Sequence, residues 1–256
     1  MGVLGALGLG GCAAANQPAP PPMAAATAAH KPDEQGLYLQ LVERMEKERQ
    51  WYAALAYLDE YHRHWPENAQ TWYLRARALR ATGQLKESQG FYQKLLDGPL
   101  SAYGYEGLGL VAAAQGQSGE ALREFRKAAR QSPTNADILN NLGYAALVAK
   151  DLRLAKDSLF KAGQLAPDDQ RIWSNIALYY LEAGEPLRAQ EVMDKRNMSW
   201  AERNAIRARA TALTGGAPGH GAAPGTPTPF AESSGPLLSP PITQVFSGAA
   251  PVGVSH

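Results

Sequence analysis

Small residues recur along this chain every 33 or 34 positions, and this spacing constrains the fold more than any other feature of the sequence. They are Ala76, Gly109, Gly143 and Ala177, with Val42 as a weaker first member. A second small residue follows twelve positions later, at Ala54, Ser88, Ala121, Ala155 and Ala189. A large apolar residue comes four positions after that, at Leu58, Tyr92, Phe125, Leu159 and Met193. Such a period is typical of repeat proteins, whose units bury a core only by stacking on one another. The sequence therefore predicts a stack of about five similar units.

Each unit has the pattern of a pair of helices. The segment between about residues 37 and 213 is rich in Ala, Leu, Gln, Glu, Lys and Arg, and its apolar residues have helical rather than strand spacing. Three of the units end at Pro66, Pro133 or Pro167. Proline lacks a backbone N–H and restricts the residue before it, so it separates one helix from the next. We therefore expect an all-α domain.

Gly143 lies in the stretch 140–147, which otherwise has the composition of a helix. Glycine inside a helix costs roughly 1 kcal/mol relative to alanine. Two helices reach the lower end of the roughly 8–10 Å packing range only where the side chains at their crossing are small. We therefore expect the two helices of this unit to cross at Gly143 and Ala155. The substitution Gly143→Leu should destabilise the fold by about 1–3 kcal/mol through overpacking.

A further helix is predicted after the fifth unit. The stretch SWAE, residues 199–202, matches a capping box, in which serine and glutamate side chains bond to the backbone at the start of a helix. The helix should run to about Leu213 and cover the apolar end of the stack, as the terminal units of solenoids do. We expect Trp200 and Ile206 to face the stack. The alternative is that this helix docks a partner protein.

The recurring residues resemble the tetratricopeptide repeat. The resemblance rests on large apolar residues at the start of each unit, on Leu followed by Gly, and on Gly at the first turn. These residues are Trp72, Tyr105, Leu139 and Trp173, the pairs Leu108-Gly109 and Leu142-Gly143, and Gly83, Gly116 and Gly184. Repeat 1 departs from the pattern at Tyr61 and repeat 2 at Arg75, and repeat 5 lacks its final proline. The resemblance implies an all-α solenoid of about five helix-turn-helix repeats and a capping helix, over residues 37–213.

The first residues of the chain form an uncharged run that ends at its single cysteine, Cys12. The residues LGGC, 9–12, resemble the lipobox of bacterial lipoproteins. This resemblance implies that residues 1–12 are a signal peptide and that Cys12 carries the lipid anchor. Ala13, directly after the cysteine, favours the outer membrane by the same resemblance. The alternative is an Ala/Gly-rich terminus with an incidental cysteine.

The segments on either side of the central domain have a different composition. Residues 13–36 combine alanine with proline, and residues 214–256 contain eight glycines and eight prolines. Segments with so few large apolar residues bury too little surface to offset the entropy lost on ordering. We therefore expect a disordered N-terminal tether and a disordered C-terminal tail.

Charge and motifs argue against nucleic-acid binding and against catalysis. The 25 basic and 24 acidic residues give a net charge of +1, whereas nucleic-acid binding favours a clear positive excess. His62 and His64 are two positions apart, so they do not share a helix face and do not form a metal pair. The sequence lacks phosphate-loop, nucleophile-elbow and zinc-protease motifs. We therefore predict no enzymatic activity, no catalytic or metal-binding residue and no cofactor.

Stacked helical repeats form a concave surface, and the first helix of each unit lines it. The register predicts peptide binding there by Tyr73, Arg77, Asn140, Asn141, Tyr144, Asn175 and Leu178. Asn141 and Asn175 hold equivalent positions one repeat apart. In tetratricopeptide repeats an Asn at this position commonly bonds to the backbone of an extended peptide, so the resemblance implies that role. The alternative is that each is an exposed polar residue without consequence.

The longest stretches of resemblance point to one group of these repeat proteins. They are YLDEYHRHWPENAQTWYLRARALRATGQLKESQGFYQKLL, YGYEGLGLVAAAQG, NNLGYAAL and the lipobox. They resemble the TadD-like lipoproteins of the tight-adherence (Flp) pilus assembly system, over Cys12 and about residues 37–196. The resemblance implies a protein on the periplasmic face of the outer membrane that assembles or localises the pilus secretin. The alternatives are a pilotin-like lipoprotein of another secretin system and a cytoplasmic co-chaperone or scaffold.

Overall fold

The computed structural model describes residues 34–215, which form eleven α-helices and no β-strand. The helices are α1 (Glu34–Lys47), α2 (Trp51–His64), α3 (Ala69–Ala81), α4 (Leu85–Gln93), α5 (Ser101–Ala114), α6 (Ser118–Gln131), α7 (Ala136–Val148), α8 (Leu152–Leu165), α9 (Gln170–Glu182), α10 (Pro186–Lys195) and α11 (Trp200–Thr214). The helices α1 to α10 form five hairpins, and the second helix of each hairpin packs on the first helix of the next. The expected all-α solenoid is therefore confirmed. Cys12 and most of the predicted tether and tail lie outside the described residues.

Side-chain caps set the starts of several helices. Asn68 makes a capping box with Thr71 at the start of α3, and Ser199 makes one with Glu202 at the start of α11. Asp169, which the sequence places at a repeat boundary, accepts a hydrogen bond from the backbone nitrogen of Arg171 at the start of α9. These side chains satisfy backbone N–H groups that have no partner inside the helix.

The turn within each hairpin requires a residue with positive φ. Gly83, Gly116 and Gly184 supply it in repeats 2, 3 and 5, with φ of 81°, 74° and 74°. Arg49 and Lys150 hold the same place in repeats 1 and 4, with φ of 60° and 61°. Because glycine adopts this conformation at little cost, it marks the turn in three of the five repeats.

The recurring small residues lie where the helices of a hairpin approach most closely. A Cβ added to Gly143 would lie 2.5 Å from Cγ of Leu159 and 3.2 Å from its backbone nitrogen. A Cβ added to Gly109 would lie 2.7 Å from Cε1 of Phe125. The nearest atoms to Gly143 therefore belong to Leu159, one helical turn beyond the expected Ala155. Glycine makes room there for a large side chain as well as for the backbone of α8.

Helix α11 covers the last repeat with one of its faces. Ile206 is 2% exposed and belongs to the same core cluster as Ile176, and Ala210 and Leu213 pack against that cluster. The expectation that Trp200 faces the stack is wrong, because its side chain is 78% exposed. Trp200 and Ile206 are six positions apart, which on a helix separates their directions by about 120°. The packed face follows the helical spacing from Ile206, and Trp200 lies off it.

Candidate protein-interaction surface

The first helices of the repeats form the inner side of the stack. α1 packs directly on α3, α3 on α5, and α7 on α9, whereas the second helices of neighbouring repeats pack less on one another. A stack in which one row of helices is closer together curves around that row. The inner surface is therefore lined by α1, α3, α5, α7 and α9, which carry every predicted peptide-binding residue.

In repeats 1 and 2 a buried ion pair forms part of this surface. Arg77 of α3 lies 3.3 Å from Oε2 of Glu46 on α1, and its guanidinium also lies 5.4 Å from the centre of the Tyr73 ring. Glu46 is 2% exposed, and its oxygens have no hydrogen bond within the described residues. Burial raises the pKa of Glu46 to about 7, although the charge of Arg77 opposes this shift. The predicted residues Tyr73 and Arg77 thus lie together on the inner surface.

Polar side chains then connect repeats 3, 4 and 5. Asn141 of α7 donates from Nδ2 to Oε1 of Glu106 on α5 at 2.9 Å. Arg171 of α9 donates to Oδ1 of Asp137 on α7 at 2.7 Å. Burial raises the pKa of Glu106 to about 7, and the nearby charge of Asp137 adds to that shift. These contacts hold successive inner helices to one another.

The two remaining asparagines bond to each other. Asn175 of α9 donates from Nδ2 to Oδ1 of Asn140 on α7 at 2.9 Å, and the two residues are 5% and 8% exposed. Asn141 and Asn175 are equivalent in the repeat, but neither bonds to the other. Each donates instead to the residue 35 positions earlier. A peptide that uses these amides must share or replace bonds that the protein already makes.

Helix α11 extends to the inner surface at repeats 4 and 5. The Arg209 guanidinium lies close enough to Tyr144 to lower the pKa of its hydroxyl, but burial is the larger effect and raises that pKa to about 12. Tyr144 is 4% exposed and Leu178 is 1% exposed. These two predicted residues therefore present little area to a partner. The assignment of the seven predicted residues to peptide binding stays a prediction.

Sequence reasoning did not select Glu46, Glu106, Asp137 or Arg171 for this surface. The repeat register contained a signal for three of them. Glu106 lies 34 positions before Asn140, and Asp137 lies 34 positions before Arg171, so each charged residue shares a column with a polar residue of the next repeat. A comparison of these columns, in addition to the small-residue columns, would have pointed to Glu106, Asp137 and Arg171.

The described residues contain no arrangement typical of a metal centre. His62 lies 3.2 Å from Glu67 and His64 lies 3.0 Å from Glu60, so the two histidines have different partners. Between residues 34 and 215 there is no cluster of three or more His, Cys, Asp or Glu side chains that could hold a metal ion. None of the helices in that range is long and apolar enough to cross a membrane.

Comparison with known proteins agrees with the repeat register. Tetratricopeptide-repeat models match residues 43–104 and 112–179. The chain is 32% identical over 200 residues to the TPR repeat-containing protein PA4299 of Pseudomonas aeruginosa. The aligned residues make up 78% of this chain and 79% of that protein. It is also 31% identical over 99 residues to the type IV pilus assembly protein PilF of the same species, across 38% of this chain and 39% of PilF.

Two solved structures share the fold. The thermophilic TPR protein TTC0263 of Thermus thermophilus aligns with a TM-score of 0.56 at 20% identity, over 70% of this chain and 98% of that one. MamA from residue 41 to its end, from Desulfovibrio magneticus RS-1, aligns with a TM-score of 0.52 at 22% identity, over 64% of this chain and 93% of that one. Proteins built from this repeat are typically non-enzymatic scaffolds for protein–protein interaction. The repeat matches and the identity to PA4299 together show that this chain belongs to the tetratricopeptide-repeat family.

Proposed function

We propose that this protein is a lipid-anchored scaffold of the outer membrane that assembles or localises the secretin of a tight-adherence (Flp) pilus. The observation that carries the proposal is the inner surface, which runs along the first helices of five repeats and bears polar and aromatic side chains. The similarity to PilF supports a pilus role, because that relative is named for type IV pilus assembly.

The anchor in this proposal is Cys12, which ends the lipobox-like stretch. Twenty-one residues separate Cys12 from Glu34 at the start of α1. A segment of this length reaches up to about 65 Å when it is extended like polyproline. The repeats could therefore bind a partner well away from the membrane surface while the lipid stays in the bilayer.

The secretin or another pilus component would bind along the inner surface. Tyr73 and Arg77 are the predicted residues farthest from α11, and Arg77 retains some exposure, with 16% of its side chain accessible. Arginine and tyrosine are among the residue types that contribute most to protein interfaces. We therefore place the first contact with the partner at repeats 2 and 3, where α11 does not cover the inner surface.

The test uses a strain that lacks the gene, complemented with the wild-type protein, with Cys12→Ser or with the neighbouring control Ala13→Ser. Radioactive palmitate should label the wild type and Ala13→Ser but not Cys12→Ser, and the Cys12→Ser protein should leave the membrane fraction. Secretin multimers and Flp pili should return with the first two proteins only. Equal labelling of Cys12→Ser would refute the anchor. Normal pili and normal secretin multimers in the deletion strain would reject the role.

A second candidate is a pilotin-like lipoprotein of another secretin system, and the similarity to PilF favours it specifically. The same deletion strain separates the two functions. Loss of type IV pili and their secretin multimers, with Flp pili unchanged, would support the second candidate. If fractionation finds the wild-type protein in the cytosol, the cytoplasmic scaffold becomes the better description.

A further inference from the structure

The outer side of repeat 3 contains a cleft that the inner surface does not use. It has a volume of about 290 Å³ and lies between α4, α5 and α6. Tyr105, Leu108 and Val111 of α5 supply apolar lining, and the side chains of Gln89, Gln93 and Gln117 lie around it. The cleft thus combines an apolar wall with amide groups that can accept or donate hydrogen bonds.

Glu124 is the unusual residue of this cleft. The equivalent positions in the other repeats carry Tyr57, Phe91, Ser158 and Val192. Glu124 is 5% exposed, and its Oε1 accepts a hydrogen bond from Nζ of Lys127 at 2.6 Å. Its Oε2 is buried and has no hydrogen-bond partner in the described part of the chain. A buried carboxylate oxygen without a partner is costly, so its presence here calls for a partner from outside.

In repeat 2, the equivalent region is occupied by an arginine side chain of the protein itself. Arg75 of α3 lies with its guanidinium 5.6 Å from the centre of the Phe91 ring and pairs with Asp59 at 2.6 Å. In repeat 3 the position of Arg75 is held by Leu108, and the position of Phe91 is held by Glu124. Repeat 3 therefore has an acid where repeat 2 has a ring, has Gln93 at the position of Asp59, and lacks the guanidinium.

We propose that this cleft binds an arginine side chain of a partner protein. The guanidinium would donate to Oε2 of Glu124 and to amide oxygens of the surrounding glutamines, while the aliphatic stem packs on Leu108. Glu120 lines the same cleft and pairs with Arg123, and Lys127 pairs with Glu124, so the charges at the cleft rim are balanced and Oε2 of Glu124 is the acceptor left unpaired within the described residues. Arginine suits this site better than lysine, because its planar group is weakly hydrated and donates several hydrogen bonds in one plane.

The entry of the guanidinium requires a local change of side chains. Oε2 of Glu124 is closed to solvent in the structure. Lys127 lines the same cleft, is long, and has 41% of its side chain exposed. Its rotation towards solvent would release Oε1 of Glu124, so that the guanidinium could replace the ammonium group on this carboxylate. The site is therefore expected to bind an isolated arginine weakly and a partner that carries the arginine on a larger interface more tightly.

The first test measures binding of N-acetyl-arginine amide to the full chain by amide chemical shifts in NMR spectra, with N-acetyl-citrulline amide as the neutral probe of the same shape. Arginine should give saturable shifts in α5 and α6, and citrulline should give none. Glu124→Gln should weaken arginine binding at least about tenfold. Glu87→Gln, which removes an exposed charge from α4, should leave binding unchanged. Absence of saturable arginine binding, or equal affinity in Glu124→Gln, would overturn the proposal.

A second variant keeps the test valid if Glu124→Gln folds poorly. Leu108→Arg places a guanidinium from the chain itself where repeat 2 has Arg75. It should abolish binding of the arginine probe and should leave the thermal midpoint at or above that of the wild type. The same substitution in a Glu124→Gln background should lower the midpoint, since the guanidinium then lacks the buried carboxylate of Glu124. Equal effects of Leu108→Arg in both backgrounds would show that no pair forms in the cleft.

Discussion

The substitution Gly143→Ala measures how closely the two helices of repeat 4 pack. The added Cβ would lie 2.5 Å from Cγ, 2.7 Å from Cδ2 and 3.2 Å from the backbone nitrogen of Leu159. Leu159 is 0% exposed, so its side chain has no solvent to move into. Its backbone nitrogen belongs to α8, so relief of the third contact requires the whole helix to shift. The clash therefore involves both the side chain and the backbone of one residue.

Two effects of opposite sign determine the result for Gly143→Ala. Alanine is favoured over glycine inside a helix by about 1 kcal/mol. Overpacking of a filled core costs about 1–3 kcal/mol. Because a flexible side chain alone cannot relieve the contacts, overpacking should be the larger effect, and we expect a net destabilisation of about 1 kcal/mol. Gly143→Leu adds more carbons at the same crossing and should destabilise by up to about 3 kcal/mol.

Gly90 provides the matched control, because it is a helical glycine of the same domain without a close neighbour. No heavy atom lies within 4 Å of a Cβ added at Gly90 in α4. Gly90→Ala should therefore show the helix effect alone and stabilise by about 0.4–1 kcal/mol. The free energies of unfolding of the two variants should then differ by about 2 kcal/mol, which separates their thermal midpoints by about 4–8 °C. If Gly143→Ala stabilises the protein as much as Gly90→Ala in circular-dichroism melts, the close crossing does not exist.

Three further predictions concern the inner surface and the last helix. Burial raises the pKa of Glu106 from 4.5 to about 7, so between these pH values the folded chain holds a proton that the unfolded chain releases, and this residue makes rising pH destabilising. Glu106→Gln should remove this pH dependence of the free energy of unfolding, and the exposed control Glu87→Gln should retain it. Urea unfolding at about pH 5 and about pH 7.5 measures the dependence for each variant. Equal pH dependence in the two variants would contradict the assignment to Glu106. Ile206→Ala should cost about 2–5 kcal/mol because Ile206 is the residue of α11 that is buried against the last repeat. Trp200→Ala should change stability by less than about 0.5 kcal/mol, and a large loss in thermal melts would place the indole in the core instead.

The fold could be predicted from the sequence because the helix contacts within each repeat recur along the chain. Val42, Ala76 and Ala177, which hold the small position of their repeats, are 0% exposed, as the register requires. The size of each side chain follows directly from the sequence. Five repeats of one pattern identify the positions at which a small side chain is needed for the helices to pack closely. The start of α11 was equally visible, because Ser199 and Glu202 bond to backbone groups within their own turn.

The outward direction of Trp200 was harder to predict from the sequence. A capping box indicates where a helix begins, but it contains no information about which face will meet the preceding repeat. That face depends on how α11 crosses α9, and the repeat register ends before α11. Apolar character alone favoured both Trp200 and Ile206, although a helix places them on different faces. The helical spacing of Ile206, Ala210 and Leu213 indicated the buried face of α11 more reliably than the apolar character of Trp200 did.

The hydrogen-bond partners of the inner-surface asparagines could not be read from the 34-residue period. Asn141 donates to Glu106 and Asn175 donates to Asn140, and each of these pairs is separated by 35 positions, whereas Asp137 and Arg171 are separated by 34. The period identifies equivalent residues, but the packing of neighbouring helices decides which residues are within hydrogen-bond distance. Since Asn141 and Asn175 each bond to a residue that is not their equivalent, these asparagines link one repeat to the next as well as facing the inner side. A partner that binds through Asn141 or Asn175 therefore has to compensate for the contacts between repeats that it disturbs.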